Sequence, residues 1–233
     1  RATATIASGG WSGRQRLDLV VFDWEGTVID STATIARSIM AAAGDLGLRV
    51  PDFEQASHVI GLGLRDALMR AVPDLTSERI NEFSARYRYH YFAAEDTLEL
   101  FAGTREFLHA LRDSGARLAI ATGKNTPGLM RALEATGLGS LFDATRCADQ
   151  THPKPHPAML LELSDELDVS TDRMLMIGDT THDLQMANAA RVSAVGVTYG
   201  AHPRDQLAAL RPLALVDSMA QLHAFVLRER ADG

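Results

Sequence analysis

Short apolar runs alternate along the chain with longer segments of helical periodicity. The apolar runs predict strands at residues 17–22, 117–121, 174–177, 194–198 and 213–216. Such near-continuous runs are typical of strands buried on both faces of a parallel sheet. The segments between them predict helices at 104–114, 126–136, 157–167, 184–190 and 218–230. This alternation predicts an α/β fold with a three-layer, Rossmann-like parallel sheet core.

One long stretch, residues 31–100, departs from the alternation. It has helical patterning at 34–46, 61–72 and 77–94, with no predicted strand. Within its last helix, Ile80, Phe83, Tyr87 and Tyr91 share one face, which favours core packing over an aromatic substrate-binding surface. We therefore predict an all-helical cap at 31–100, inserted into a core formed by 17–30 and 101–233. Residues 1–16 are predicted to be a loose tail.

Charge and cysteine content narrow the functional classes. The chain has 23 Lys and Arg against 30 Asp and Glu, a formal charge of −7, which argues against a nucleic-acid partner. No stretch approaches the roughly 20 apolar residues that span a bilayer, and the first residues lack the apolar segment of a secretory signal. Cys147 is the single cysteine and cannot form an internal disulfide. We expect a cytoplasmic protein with no membrane partner.

Two carboxylates directly follow the first predicted strand. In parallel α/β folds, ligands bind beyond the carboxyl ends of the strands. Asp23 and Glu25, followed by Gly26 and Thr27, stand at such an end. One carboxylate can attack a phosphoryl group while the other acts as general acid and base. The alternative is an acidic cap of the next helix.

A hydroxyl and a lysine come at later strand ends. Thr122 and Gly123 can cradle phosphate oxygens at a helix start, although they could be a simple turn. Lys154 lies between two prolines, which suits a cation aimed at developing negative charge. His152 and His156 flank it, but the prolines disrupt the helical spacing that a zinc pair would need.

Asp179 and Asp183 follow the third predicted strand of the core. Hard oxygen ligands without a cysteine cluster favour Mg²⁺ over zinc, and the alternative is again a helix cap. Each of these motifs is weak evidence for a catalytic site when taken alone. Because they end successive strands of one predicted sheet, we expect them to converge on one cleft.

These residues, in this order, resemble the haloacid dehalogenase superfamily of phosphohydrolases with a helical cap. The resemblance covers about residues 17–226. Within the predicted cap, the sequence Gly61-Leu62-Gly63-Leu64 resembles the substrate-facing loop of phosphoglycolate-phosphatase-like members. The resemblance implies a Mg²⁺-dependent phosphatase of a small phosphorylated metabolite, acting as a monomer or homodimer.

The resemblance also implies catalytic roles. Asp23 would attack phosphorus and form an aspartyl-phosphate, and Glu25 would protonate the leaving oxygen and then activate water. Mg²⁺ would be held by Asp23, Asp179 and the backbone carbonyl of Glu25, with Asp183 supporting the metal or orienting Lys154.

The resemblance also implies which residues contact the phosphate and the rest of the substrate. Thr122 and the Gly123 amide would hold phosphate oxygens, and Lys154 would offset negative charge around the nucleophile. Substrate contacts are expected at Gly63, Arg65, Gly123 and Lys124. Arg65 could pair with a substrate carboxylate, or could be a solvated residue at a helix start.

One position departs from the family pattern, because phosphatases of this superfamily usually have Asp where this chain has Glu25. The extra methylene lengthens the side chain, and misplacing a catalytic group by about 1 Å can cost roughly 100-fold in rate. One alternative is therefore a catalytically impaired, phosphate-binding or regulatory homologue. The other is a carbon–halogen hydrolase, which the acidic residues disfavour because that reaction needs no metal.

Overall fold

The computed structural model describes residues 5–6 and 16–231. Its strands are β1 (Thr5–Ile6), β2 (Leu19–Phe22), β3 (Arg117–Thr122), β4 (Ala144–Cys147), β5 (Met174–Gly178), β6 (Ser193–Val197) and β7 (Ala214–Val216). The first four helices are α1 (Thr32–Asp45), α2 (Phe53–His58), α3 (Leu64–Ala71) and α4 (Ile80–Glu95). The others are α5 (Thr104–Asp113), α6 (Thr126–Thr136), α7 (Ala158–Glu166), α8 (Thr181–Ala190), α9 (Arg204–Ala209) and α10 (Met219–Ala231).

The strands form one sheet in the order β1-β7-β6-β5-β2-β3-β4. Strands β2 to β7 are parallel, and β1 pairs antiparallel with β7. Successive residues of a strand point to opposite faces. Val20 and Phe22 accordingly join the apolar cluster that contains residues of α5, α6 and α10, whereas Leu19 and Val21 join the cluster with α7, α8 and α9. The predicted three-layer α/β core is confirmed.

Two strands were not predicted from the sequence. Strand β4 lies at the sheet edge, and its inner residues Thr145 and Arg146 are only half-buried, so it lacks a continuous apolar run. Residues Thr5 and Ile6 pair with Leu215 and Ala214, which corrects the prediction of a loose tail at that point. The remainder of the predicted tail, apart from Arg16, lies outside the described residues.

The helices α1 to α4 follow β2 and pack around an apolar cluster of their own. Its members include Ile39, Leu68 and Phe83, all nearly inaccessible to solvent. Tyr87 and Tyr91 are buried in the same cluster, as the helical spacing predicted. A helical cap therefore stands over the carboxyl end of β2. Its boundaries at 31 and 100 stay a prediction.

Across the described part of the chain, no helix combines the length and apolar character needed to cross a bilayer.

Candidate active site

The sheet order brings three of the predicted motifs together. Strand β2 lies between β3 and β5 and is in parallel register with both. The loops that follow these strands therefore emerge side by side at one sheet edge. These strand ends carry Asp23, Thr122 and Asp179, all buried: Thr122 is the last residue of β3, and the other two directly follow β2 and β5. Convergence of these residues on one cleft is what the strand-end pattern predicted.

A cluster of three carboxylates forms the centre of this cleft. Asp23, Asp179 and Asp183 each offer an oxygen within 4.8 Å of the others. The ammonium group of Lys154 lies 2.8 Å from Asp23 Oδ1 and 2.6 Å from Asp183 Oδ1. Its side chain is 0% exposed, so these two carboxylates replace the water that the charge would otherwise need.

Local hydrogen bonds fix the orientation of the aspartates. Asp179 accepts a bond from Thr27 Oγ1 at 2.9 Å and from the Ala201 amide at 2.7 Å. Asp183 Oδ2 accepts from the amide and the hydroxyl of Thr180 at 3.1 and 2.7 Å. The bond from the Thr180 amide and a return bond of 3.3 Å from the Asp183 amide to Thr180 Oγ1 form the capping box that starts α8, so Asp183 belongs both to this box and to the cluster.

Burial controls the electrostatics of the cluster. It raises the pKa of Asp23 well above its usual value; Lys154 opposes this effect, and Asp183 and Asp179 add to it. Burial, followed by repulsion from Asp183, raises the pKa of Asp179 to about 7. Burial alone would lower the pKa of Lys154, but Asp183 and Asp23 raise it. When all three carboxylates are ionised, one ammonium leaves two negative charges uncompensated, a charge that one divalent cation would balance.

The donor set fits Mg²⁺. Among the described residues, Asp23 Oδ2 is a buried oxygen that has no hydrogen-bond partner. Carboxylate oxygens are the ligands that Mg²⁺ prefers. The backbone of Gly26, at φ +77°, passes so close that a Cβ there would lie 2.2 Å from Asp179 Oδ2. Glycine at this position keeps the space around Asp179 open.

Glu25 points away from the aspartate cluster and towards the cap. Its Oε1 lies 2.7 Å from Lys124 Nζ and accepts a hydrogen bond of 3.2 Å from the Tyr91 hydroxyl. Lys124 Nζ also donates to the Tyr91 hydroxyl, at 3.0 Å. Burial would lower the pKa of Lys124, but Glu25 raises it, so the ammonium form persists. Burial, with Glu25 adding to it, raises the pKa of Tyr91, which therefore stays a donor.

The contact of the Tyr91 hydroxyl with Glu25 is one that the sequence pattern did not indicate. Its position on the apolar face of α4 predicted only core packing, and its ring is indeed buried. Helical periodicity identifies the buried face but carries no information on where a hydroxyl at the edge of that face ends. The sequence pattern therefore predicts packing for Tyr91 and misses its contact with Glu25.

The loop after β3 contacts the cap through its backbone. A Cβ at Gly123 would lie 2.5 Å from the carbonyl oxygen of Leu62 and 2.7 Å from that of Gly61. Only glycine permits this approach. Thr122 is buried, and its Oγ1 accepts a bond from the Lys124 amide at 3.1 Å. Of the two predicted phosphate-binding residues, Gly123 therefore lies directly against the cap loop, and Thr122 is buried next to it in the chain.

The predicted substrate-contact residues line one cavity between cap and core. The cavity has a volume of about 530 Å³ and includes Gly63, Arg65, Gly123 and Lys124 in its wall, together with Glu25. Arg65 is exposed. The residue-by-residue assignment of substrate roles stays a prediction, but all four residues border the same space.

Two core histidines, for which the sequence predicted no role, bind the end of the cap helix α2. His182 Nε2 and His202 Nε2 lie 3.1 and 2.9 Å from the carbonyl oxygen of His58, the last residue of α2. The Thr181 amide donates to His202 Nδ1, which leaves the Nε2 proton for the carbonyl. This contact joins α2 to the start of α8 beside Asp183.

Comparison with known proteins bears on this site. A family model described as haloacid dehalogenase-like hydrolase matches residues 20–197. The chain belongs to this family. The match includes every predicted catalytic and metal-binding residue of the haloacid dehalogenase-like core.

Similar proteins and structures agree with this membership. The chain is 36% identical over 210 residues to the protein named "Probable phosphatase IndB" of Dickeya dadantii, covering 88% of this chain and 91% of that protein. It is 31% identical to a phosphoglycolate phosphatase of Aliivibrio fischeri, covering 92% of this chain and 98% of the relative. A solved structure described as a predicted phosphoglycolate phosphatase from Haemophilus somnus superposes with a TM-score of 0.80 at 28% identity, covering 90% and 98% of the two chains. The family and the enzyme class predicted from the sequence, a phosphatase of this family, are confirmed.

Proposed function

We propose that this haloacid dehalogenase-like hydrolase is a Mg²⁺-dependent phosphomonoesterase that acts on a small phosphorylated metabolite through an aspartyl-phosphate. The single observation that carries the proposal is the unpartnered Oδ2 of Asp23. This oxygen lies in a buried cluster whose other carboxylates are held in place by hydrogen bonds. The other carboxylate oxygen of Asp23, Oδ1, faces Lys154. A free carboxylate oxygen with a fixed orientation is what an attacking nucleophile needs.

Asp23, Asp179 and the backbone carbonyl of Glu25 would hold Mg²⁺. When bound, the ion supplies positive charge to the phosphoryl oxygens and favours the ionised form of Asp23. The contacts of Asp183 with Lys154 and Thr180 favour an orienting role for this carboxylate.

In the first step, Asp23 Oδ2 attacks phosphorus and the ester P–O bond breaks. The departing oxygen takes a proton from Glu25, which leaves an alcohol and an aspartyl-phosphate. Glu25 then takes a proton from water, the water oxygen attacks phosphorus, and the bond to Asp23 breaks, releasing phosphate. Thr122 and the Gly123 amide hold phosphoryl oxygens throughout, and Lys154 stabilises the charge around Asp23.

The test is release of inorganic phosphate from phosphoglycolate and from an aryl phosphate, with Mg²⁺ and with EDTA. Asp23→Asn should lose at least about 1,000-fold in kcat, since it removes the nucleophile. The exposed Asp113→Asn is the matched control and should retain the activity of the parent chain. Equal rates for Asp23→Asn and the parent chain would refute the proposal.

The second candidate is an impaired phosphate-binding homologue, which the pairing of Glu25 with Lys124 and Tyr91 favours. A carboxylate held towards the cap is displaced from the aspartate cluster. Comparison with Glu25→Asp separates the two functions. An active parent chain supports the phosphatase, whereas a silent parent beside an active Glu25→Asp supports the impaired homologue.

A further inference from the structure

The position of the cavity under the cap indicates which part of a substrate would occupy it. Its wall includes Glu25, Gly123 and Lys124 from the core loops, whereas none of the three clustered aspartates lines it among the described residues. The phosphoryl group must lie against Asp23 for attack. The cavity therefore begins where the phosphoryl group ends and receives the leaving group.

The volume of the cavity is large for a small leaving group. A non-hydrogen atom with its hydrogens occupies roughly the 30 Å³ of a water molecule, so glycolate, with about five such atoms, fills about 150 Å³. At the same volume per atom, the cavity of about 530 Å³ would accept about 18 such atoms. Glycolate would leave most of the space to water, next to a site that must control water access.

The wall of the cavity is mostly apolar and partly aromatic. The rings of Tyr87 and Tyr91 stack with centroids 5.9 Å apart, and both rings are buried. Apolar side chains continue this surface on three elements of the cap: Ile35, Ile39, Val59, Ile60, Leu62 and Leu68. Such a wall stabilises a flat or apolar ligand surface rather than a carboxylate.

Two cations stand at the solvent-exposed rim of the cavity. Arg65 and Arg88 both line it, both are exposed, and within the described residues neither forms an ion pair. Free guanidinium groups suit polar or anionic substituents at the far end of a ligand. The cavity thus offers an apolar surface near Glu25 and hydrogen-bond donors at its opening.

We propose that the substrate is the phosphate ester of a ring-bearing alcohol, of about nucleoside size, rather than phosphoglycolate. The ring lies against the wall formed by Tyr87 and Tyr91, and polar substituents of the ring reach Arg65 and Arg88. This inference rests on the proposed phosphatase function and adds the substrate class to it.

The first experiment compares kcat/KM across phosphate esters with Mg²⁺ present. The probes are phosphoglycolate, glucose 6-phosphate, 1-naphthyl phosphate and a nucleoside 5′-monophosphate. We expect at least one ring-bearing ester to exceed phosphoglycolate by about 100-fold, since apolar contacts of a few methylene groups give such ratios. Phosphoglycolate as the best substrate would overturn the inference but leave the phosphatase intact. No phosphate release from any probe would overturn both.

A variant that fills the cavity provides the second experiment. Ala67→Phe places a ring in the cavity wall and should lose about tenfold more kcat/KM on the best ring-bearing ester than on phosphoglycolate. Leu64→Trp, at a half-buried position of the wall, repeats the test if Ala67→Phe does not fold. The control is Ala93→Phe, which is exposed on α4 outside the cavity and should match the parent chain. Equal losses on large and small esters would contradict the assignment.

Discussion

At the scale of single residues, the site depends on how buried charges are paired. Lys154 is fully buried between Asp23 and Asp183, and its pairing with both carboxylates offsets the cost of burying its charge. The sequence indicated the lysine through its flanking prolines but gave no distance to either acid. The second pairing, of Glu25 with Lys124 and Tyr91, depends on contacts across the cap and could not be predicted from spacing along the chain.

Replacing Lys154 should therefore affect both stability and catalysis. Lys154→Met leaves Asp23 and Asp183 facing each other without a cation, so the free energy of unfolding in EDTA should fall by about 3 kcal/mol. We expect kcat to fall by at least about 100-fold, because the positive charge beside Asp23, the proposed nucleophile, is lost. Urea unfolding and phosphate release measure the two effects. Arg37→Met, on an exposed cap position, is the control; an effect of Lys154→Met no larger than the control would be incompatible with the pairing.

The hydroxyl of Tyr91 gives a second prediction at this scale. Tyr91→Phe keeps the buried ring but removes the donor to Glu25 and the acceptor for Lys124. Since hydrogen bonds to charged groups contribute about 1.5–3 kcal/mol, kcat should fall by roughly tenfold or more.

The measurement is the pH profile of kcat for an aryl phosphate. A role of Tyr91 in orienting Glu25 predicts a changed profile as well as a lower maximum, whereas loss of packing alone would leave the shape unchanged. Tyr89→Phe alters an exposed ring on the same helix and is the matched control. If both variants behave alike, the contact with Glu25 has no catalytic role.

At the scale of elements, prediction succeeded where hydrophobic patterns are strong. The buried strands β2, β3, β5, β6 and β7 have apolar runs, and each was predicted to within two residues at either end. The half-buried edge strand β4 and the six-residue helices α2 and α9 were missed, because short or partly exposed elements show no clear period. The strand-end motifs predicted that these loops converge, whereas the order of the strands and the strand β4 that precedes Lys154 were not predicted, and the roles of the residues followed from the family resemblance.

The contact between the β3–α6 loop and the cap loop gives a prediction for these elements. Gly123→Ala would place a Cβ within 2.7 Å of two backbone oxygens, so the cap loop or the Thr122 loop must move. A displacement of about 1 Å at a phosphate-binding loop can reduce the rate by roughly 100-fold.

Initial rates of phosphate release and the melting temperature should both be measured for Gly123→Ala. We expect a large loss in kcat/KM. Gly139→Ala is the control, because a Cβ there meets Leu133 at an ordinary 3.8 Å, and its φ is not in the left-handed range. Retention of full activity by Gly123→Ala would show that the close approach is not needed for turnover.

At the scale of the whole molecule, the cap and core meet through contacts that no periodicity encodes. The histidines bonded to the His58 carbonyl lie 124 and 144 residues away in the chain. Arg131 of α6 lies over the ring of Phe92 in α4, 4.8 Å from its centroid. Hydrophobic patterns along the sequence predict that a helical insertion exists, but its position on the core depends on these long-range contacts. The shape of the cavity, and with it the proposed substrate class, depends on that position.

The buried charge of the cluster also links folding to metal and pH. Asp179 has a pKa of about 7 in the folded chain, above the value of about 3.9 for an exposed aspartate. Between these values the folded chain retains a proton that the unfolded chain has lost. Without metal, this group therefore reduces the free energy of unfolding as pH rises through the window from about 4 to 7, after which its effect is constant.

Mg²⁺ should reverse this loss, because the ion takes the place of the proton in the cluster. We expect Mg²⁺ to raise the free energy of unfolding more at pH 8 than at pH 5.5, where binding must first displace a proton. Urea unfolding at both pH values, with Mg²⁺ or EDTA, measures the difference. Asp179→Asn should lose most of the Mg²⁺ effect and part of the pH dependence in EDTA, the rest of which comes from the raised pKa of Asp23, whereas the exposed Asp205→Asn should retain both. A Mg²⁺ effect of equal size at pH 5.5 and pH 8 would contradict the coupling, since the same carboxylates cannot hold a proton and a cation together.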